Sequence, residues 1–316
     1  MTTTLAPALH RDREAVSVRD HALDVLKGAA IIGVLIIHAD FTRFDPPTRA
    51  TVGWLGWLFQ WCVPAFFFAA GRLARHPTAP KAAARYVWAR AKRLLVPYVA
   101  FTALYKLTLL ANLARGTGEW QWCWAGGPQL YFLPYLSSVA AMAGVVVVLA
   151  RGRSVGLVVA VGLAVATAWL AQPTTATHGP HLALVGLYTG NYFAGLARAG
   201  WGIGAAAVLA AGVAATAVHA GNPQLLAAGM PPLAYGALRL SVGARSAALA
   251  GWLGRWSGAV YVWHTPLLMP AASIAAVRVV GPGPAALVIV LAAGVLGSVG
   301  LGYLAIHLSV LRPFRI

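Results

Sequence analysis

Lys27 and His38, eleven residues apart on one apolar stretch, are the first residues in this chain whose types and spacing fit chemistry. Eleven residues are about three helical turns, so both fall on one face, about 16 Å apart along the axis. A cation at one end of such a face can hold an anionic group, and an imidazole deeper in can take a proton. The plainer alternatives are a snorkelling lysine and an interfacial histidine. Asp24, on the same stretch, is too far along it to orient His38 and is expected to pair with Lys27 or with a loop arginine. A second group is basic: Arg90, Lys92 and Arg93, with Arg85 upstream, stand before Leu94-Leu95-Val96-Pro97-Tyr98. Arg90 and Arg93 can share a helix face and grip phosphates with paired N–H donors, or they can be ordinary positive charge beside a membrane. A third group is Ser257, Tyr261 and His264, whose i, i+4, i+7 spacing aligns them on one face. Its alternative is a histidine that only packs against a neighbouring helix. Lys106, Gln129, Tyr131, Asn191 and Tyr192 complete the set as isolated polar groups in apolar surroundings, either supporting a substrate or serving as interhelical hydrogen bonds and interface anchors.

What is missing narrows the chemistry. The seven acids are Asp12, Glu14, Asp20, Asp24, Asp40, Asp45 and Glu119, and none follows Glu119. That argues against a paired-carboxylate hydrolase. Cys62 and Cys123 are isolated, which offers neither a disulfide framework nor metal-ligand spacing, so no metal is expected. Nothing around Cys62 suggests the low thiol pKa that a nucleophile needs.

The elements that must position these groups are membrane helices. Apolar residues make up 59% of the chain and charged residues only 10%, against about 25% charged in a soluble domain. The net charge of +17 does not indicate nucleic acid, because the basic residues lie in short tracts between apolar stretches. Stretches near the spanning length of about 20 residues fall at roughly 22–40, 52–71, 94–113, 129–150, 155–171, 182–197, 201–219, 224–240, 257–277 and 285–308. Amides in hydrocarbon must pair internally, so these are read as helices: an all-α polytopic membrane protein with ten passes. With the N-terminus inside, only Arg43, Arg49, Arg115 and Arg278 fall outside, and Lys106 lies within a helix. The other Lys and Arg are cytoplasmic, which supports ten passes with both ends in the cytoplasm. The organisation expected is a cytosolic tail over 1–20 and a single membrane domain over 21–316, with Arg72 to Arg93 as the longest cytoplasmic loop and no cleavable signal. Trp120, Trp122 and Trp124 read as an interfacial belt.

Taken together, these motifs resemble the acyltransferase 3 family of membrane acyltransferases. Asp24-Val-Leu-Lys27-Gly28 with His38 is similar to that family's first-helix signature, a basic residue followed after ten residues by a histidine. Val63-Pro64-Ala-Phe66-Phe67-Phe68-Ala-Ala-Gly71 resembles its Phe-rich second helix ending in Gly. Arg90-Ala-Lys-Arg93 before Pro97 resembles its Arg-x-x-Arg segment, Leu130-Tyr131-Phe132-Leu133 its Trp/Tyr-Phe-Leu element, and Ser257 to His264 with Pro266 its late Ser…Tyr…His-x-Pro element. Each motif is short and degenerate; their order and spacing over nearly the whole chain make the combination more specific. Lys27 stands where the family usually has Arg, and Ala70 where it often has Ser.

The resemblance implies transfer of a short acyl group, often acetyl, from acyl-CoA to a hydroxyl of a carbohydrate, glycolipid, peptidoglycan or natural-product acceptor. On that reading Lys27, Arg85, Arg90 and Arg93 hold the donor, and His38 is the general base. Tyr261 or His264 stabilises the thioester oxyanion or positions the acceptor, and Asp24, Lys106, Tyr131, Asn191 and Ser257 support the substrate. The partners expected are acyl-CoA, a hydroxyl-bearing acceptor and the lipids of a bacterial cytoplasmic membrane, with no nucleic acid. Two rivals remain: a transporter or flippase using the buried Lys106, His38 and His264, and a non-catalytic lipid-binding or sensory domain.

Overall fold

In a computed structural model, residues 19–39, 43–114, 132–151, 154–170, 179–197, 201–241, 248–309 and 311 are described. Tyr131, Gln129, the three Trp of the expected belt and residues 1–18 of the tail lie outside them. Among the described residues every regular element is helical: α1 His21–Ile37, α2 Pro46–Leu58, α3 Cys62–Leu73, α4 Pro80–Ala114, α5 Phe132–Leu149, α6 Ser154–Leu170, α7 Gly179–Leu196, α8 Trp201–His219, a 3₁₀ segment Pro223–Gly229, α9 Met230–Ser241, α10 Ala248–Trp263, α11 Met269–Val280 and α12 Pro284–His307. Four segments of the described residues, Pro46–Leu73, Phe132–Leu149, Gly202–His219 and Pro284–His307, are long and apolar enough to cross a membrane. Large apolar side chains face outward, Leu240 at 93% exposure and Val218 at 81%, as in a protein whose surroundings are lipid.

Four expected elements differ. The stretch expected as one helix over 224–240 is the 3₁₀ segment Pro223–Gly229 followed by the 12-residue α9. The stretch expected as one helix over 52–71 is two, α2 and α3, separated at 59–61. Asp45 caps α2 by accepting from the Thr48 amide at 2.9 Å, and Pro46 takes the first turn, where its missing N–H costs nothing. The basic segment before Arg93 is not a loop beyond residue 79. It is the first part of α4, a 35-residue helix about 52 Å long. That exceeds a hydrocarbon core of about 30 Å, so the basic first turns lie beyond the apolar length. The helix expected over 257–277 begins at Ala248 and breaks at His264. Thr265 is extended there (φ −124°, ψ 155°), the conformation that a proline imposes on the residue before it, and here that proline is Pro266.

α1 is the central helix. It packs against α2, α3, α9, α10 and α12 and buries Leu26, Ala30, Ile31, Val34 and Leu35 almost completely. It runs parallel to α10: Asp24 and Gly28 meet Gly254 and Ala250 at one end, and His38 meets His264 at the other. The two backbones touch at glycines. A Cβ on Gly28 would run into the Ala250 carbonyl, and one on Gly254 into the Asp24 carbonyl. A second crossing of this kind joins α3 to α7, where Gly71 faces the Tyr192 carbonyl and Gly195 the Phe68 carbonyl.

Candidate active site

The basic end of the bundle is organised around Asp24. Its carboxylate accepts from Arg19 at 2.7 and 2.8 Å and pairs with Lys27 at 3.0 Å. The partner expected for Asp24 is therefore Lys27, together with Arg19 from the same end of the chain rather than an arginine of the 72–93 segment. Asp20 caps α1 through the Leu23 amide at 3.0 Å and also accepts from the Tyr235 hydroxyl, to which Arg72 Nε donates at 3.3 Å. These bonds tie the start of α1 to α3 and α9.

Beside this cluster opens a cavity of about 550 Å³. At its basic end are Lys27 of α1 and Arg90 and Arg93 of α4; Ser257 and Tyr261 of α10 and Phe66 of α3 also line it. Arg90 is held loosely. Its hydrogen bonds to the Tyr86 hydroxyl and the Ala70 carbonyl are both 3.5 Å, at the limit for such bonds. Its buried Nε has no partner among the described residues. A guanidinium with spare donors facing a cavity is suited to an anion. Ala70 contributes its carbonyl to Arg90, and both line the cavity.

The three successive phenylalanines of α3 point about 100° apart, so each meets a different wall. Phe66 packs edge-on to Tyr261 (ring centroids 6.2 Å), Phe67 stacks on Tyr188 of α7 (5.0 Å), and Phe68 meets Tyr235 of α9 (5.3 Å). Tyr261 is fixed further by Phe132 at 4.9 Å. Its ring lies 6.1 Å from that of His264, and His264 is fully buried. His264 in turn contacts His38: the rings stack 5.1 Å apart at 27°, with Nδ1 of His38 3.0 Å from Nε2 of His264. His38 ends α1 and is half-buried; it does not line the cavity but stands behind His264 and Tyr261.

Lys27, Arg90, Arg93, Ser257 and Tyr261 thus share one cavity, with His264 and His38 continuing from its Tyr261 wall. Ser257 also donates to the Gly254 carbonyl of its own helix at 2.9 Å. Arg85 is exposed on α4 and outside the cavity. Lys106 lies thirteen residues beyond Arg93 on the same helix and does not line it either. Asn191 is fully buried, and its amide nitrogen donates to the carbonyls of Leu187 (2.9 Å) and Ala228 (2.8 Å). It clamps α7 to the 3₁₀ segment, away from the cavity. Cys62 is buried against Gly33 and is likewise not a cavity residue.

One group went unnoticed in the sequence. His76, between α3 and α4, hydrogen-bonds the Tyr192 hydroxyl through Nε2 at 3.0 Å and packs edge-on to Tyr86. Burial, and then the nearby Arg90 charge, push its pKa down to about 4. The visible signal was the Tyr86–Arg90 pair at i, i+4; nothing in the sequence placed His76 beside it.

The family model described as an acyltransferase domain matches residues 20–303. Neither the curated proteins nor the solved structures gave a match.

Proposed function

This chain belongs to the acyltransferase 3 family, and from that premise we propose that it moves a short acyl group, acetyl foremost, from acyl-CoA to a hydroxyl of a carbohydrate, glycolipid or natural product. The setting is a bacterial cytoplasmic membrane, crossed ten times with both chain ends inside. The parallel course of α1 with α10 supports that topology, because it pairs the first pass with the ninth.

The observation that carries the reading is the cavity joining Arg90 and Arg93 to Tyr261, one ring contact from the His264–His38 pair. Lys27 is already matched by Asp24, so Arg90 and Arg93 supply the charge for the donor's phosphates. A volume of about 550 Å³ falls within the range of small-ligand sites; it takes the pantetheine arm, with the nucleotide at the basic mouth and the thioester end directed past Tyr261 toward His38. His38 removes the acceptor hydroxyl proton as that oxygen attacks the thioester carbonyl. The tetrahedral intermediate collapses, the C–S bond breaks, and the departing CoA thiolate recovers the proton from the imidazolium. Tyr261, which lines the cavity, is placed to donate to the oxyanion.

The test is release of free CoA thiol from acetyl-CoA by the purified protein in nanodiscs, dependent on an added hydroxyl acceptor. His38→Ala is expected to lower turnover by about 10²- to 10⁴-fold with normal membrane insertion. Normal turnover by that variant would remove His38 from the chemistry, and no acceptor-dependent thiol release with any acceptor class would return the chain to a transporter.

A further inference from the structure

The hydrogen bonds around His264 determine which nitrogen of His38 is basic. His264 Nδ1 lies 2.9 Å from the Val260 carbonyl oxygen. A carbonyl only accepts, so Nδ1 carries the hydrogen. In a neutral imidazole the lone pair then sits on Nε2. That Nε2 is the atom 3.0 Å from His38 Nδ1, so Nδ1–H of His38 must be the donor. The lone pair of His38 is left on Nε2.

We propose that His264 is a positioning residue that holds His38 in the tautomer with Nε2 free to accept a proton; this rests on the reading of His38 as general base. The arrangement matches a general requirement of activated bases, that a third group fixes the base's orientation. His264 is well placed for it. It is fully buried, anchored to its own helix through Val260, and followed by the Thr265 break that ends α10. The pair also works after proton uptake. When Nε2 of His38 takes the hydroxyl proton, its Nδ1–H bond to His264 becomes charge-assisted and shortens. The Val260 carbonyl, bonded to the far nitrogen of His264, stabilises the same polarisation. Neither ring changes partner during the reaction. His264 then needs no contact with donor or acceptor, in keeping with a fully buried ring bonded at both nitrogens.

The experiment uses the full chain in nanodiscs, with ¹⁵N-labelled histidine and three variants: His38→Ala, His264→Phe and His264→Gln. The ¹⁵N shifts of His38, assigned by their loss in His38→Ala, are expected to show hydrogen on Nδ1 and none on Nε2. His264→Phe removes the acceptor and is expected to lower kcat about 10- to 100-fold, as loss of an orienting partner does, with the KM for acetyl-CoA unchanged. Gln offers an amide oxygen to the same Nδ1–H and is expected to restore much of kcat. Hydrogen on Nε2 of wild-type His38 would overturn the proposal. So would an unchanged kcat in His264→Phe, or an effect confined to KM, which would make His264 a substrate contact. The tautomer of the wild-type protein decides the matter even if a variant fails to fold. Full turnover by His38→Ala would instead defeat the base assignment while leaving the tautomer result standing.

Discussion

Replacing Arg90 with glutamine separates a donor-binding guanidinium from mere membrane-side charge. Among the described residues of the free protein Arg90 makes two hydrogen bonds, each 3.5 Å, and its Nε finds no partner. Losing them therefore costs the fold less than about 1 kcal/mol. Against a phosphate the same group makes charge-assisted bonds, each contributing about 1.5–3 kcal/mol. Since 1.4 kcal/mol is tenfold in affinity, Arg90→Gln is expected to weaken CoA binding roughly 10- to 150-fold. Calorimetric titration of CoA into protein in nanodiscs measures this, and acceptor KM serves as the comparison. Arg85→Gln is the control, because Arg85 carries the same charge on the same helix but lies outside the cavity. If both variants bind CoA equally well, or both lose affinity equally, the cavity is not the phosphate site and the basic stretch of α4 acts only as topology.

The glycine crossing of α1 and α10 gives a second expectation: Gly28→Ala forces a methyl against the Ala250 carbonyl and should cost about 1–3 kcal/mol, read as a lower apparent Tm in detergent. Gly300→Ala on α12, with open space around the site, should instead be neutral or stabilise by up to about 1 kcal/mol. A third concerns pH. His76 stays neutral in the fold down to about pH 4, whereas in the unfolded chain it takes up a proton near pH 6.5. Stability is therefore full above about 6.5 and falls as pH drops toward 4. His76→Gln, which keeps a polar partner for Tyr192, should flatten thermal stability across that window; an unchanged acid slope would show that other groups set it.

Composition and the spacing of apolar stretches made the helical membrane fold legible, and α8 falls where the sequence placed it, at 201–219. Breaks inside apolar runs were harder to see. Pro266 marked the end of α10 in plain view, yet the run continues apolar on both sides, so length alone joined α10 to α11. The basic stretch before Arg93 read as a loop because charge outweighed helix propensity, although Ala82, Ala83, Ala84, Ala89 and Ala91 are strong helix formers. At the site, periodicity predicted that Ser257, Tyr261 and His264 share a face. Which helix they would meet is a long-range fact that periodicity does not carry. Gly28 and Gly71 were visible as motif residues, but their purpose shows only when the opposing carbonyls are in place. Asn191 shows the converse: a lone buried amide in an apolar helix invites a functional reading, and both of its N–H groups are taken up by backbone carbonyls.

The bond between His38 and His264 spans 226 residues of sequence. A ribosome adding about 5–20 residues per second needs roughly 10–45 s to make the second histidine after the first. Throughout that interval the nascent chain carries an unmatched imidazole and a bare glycine seam on its opening helix. The histidine pair therefore assembles only once α10, nearly the last of the helices, has been inserted, and any truncation before α10 yields a product that lacks it.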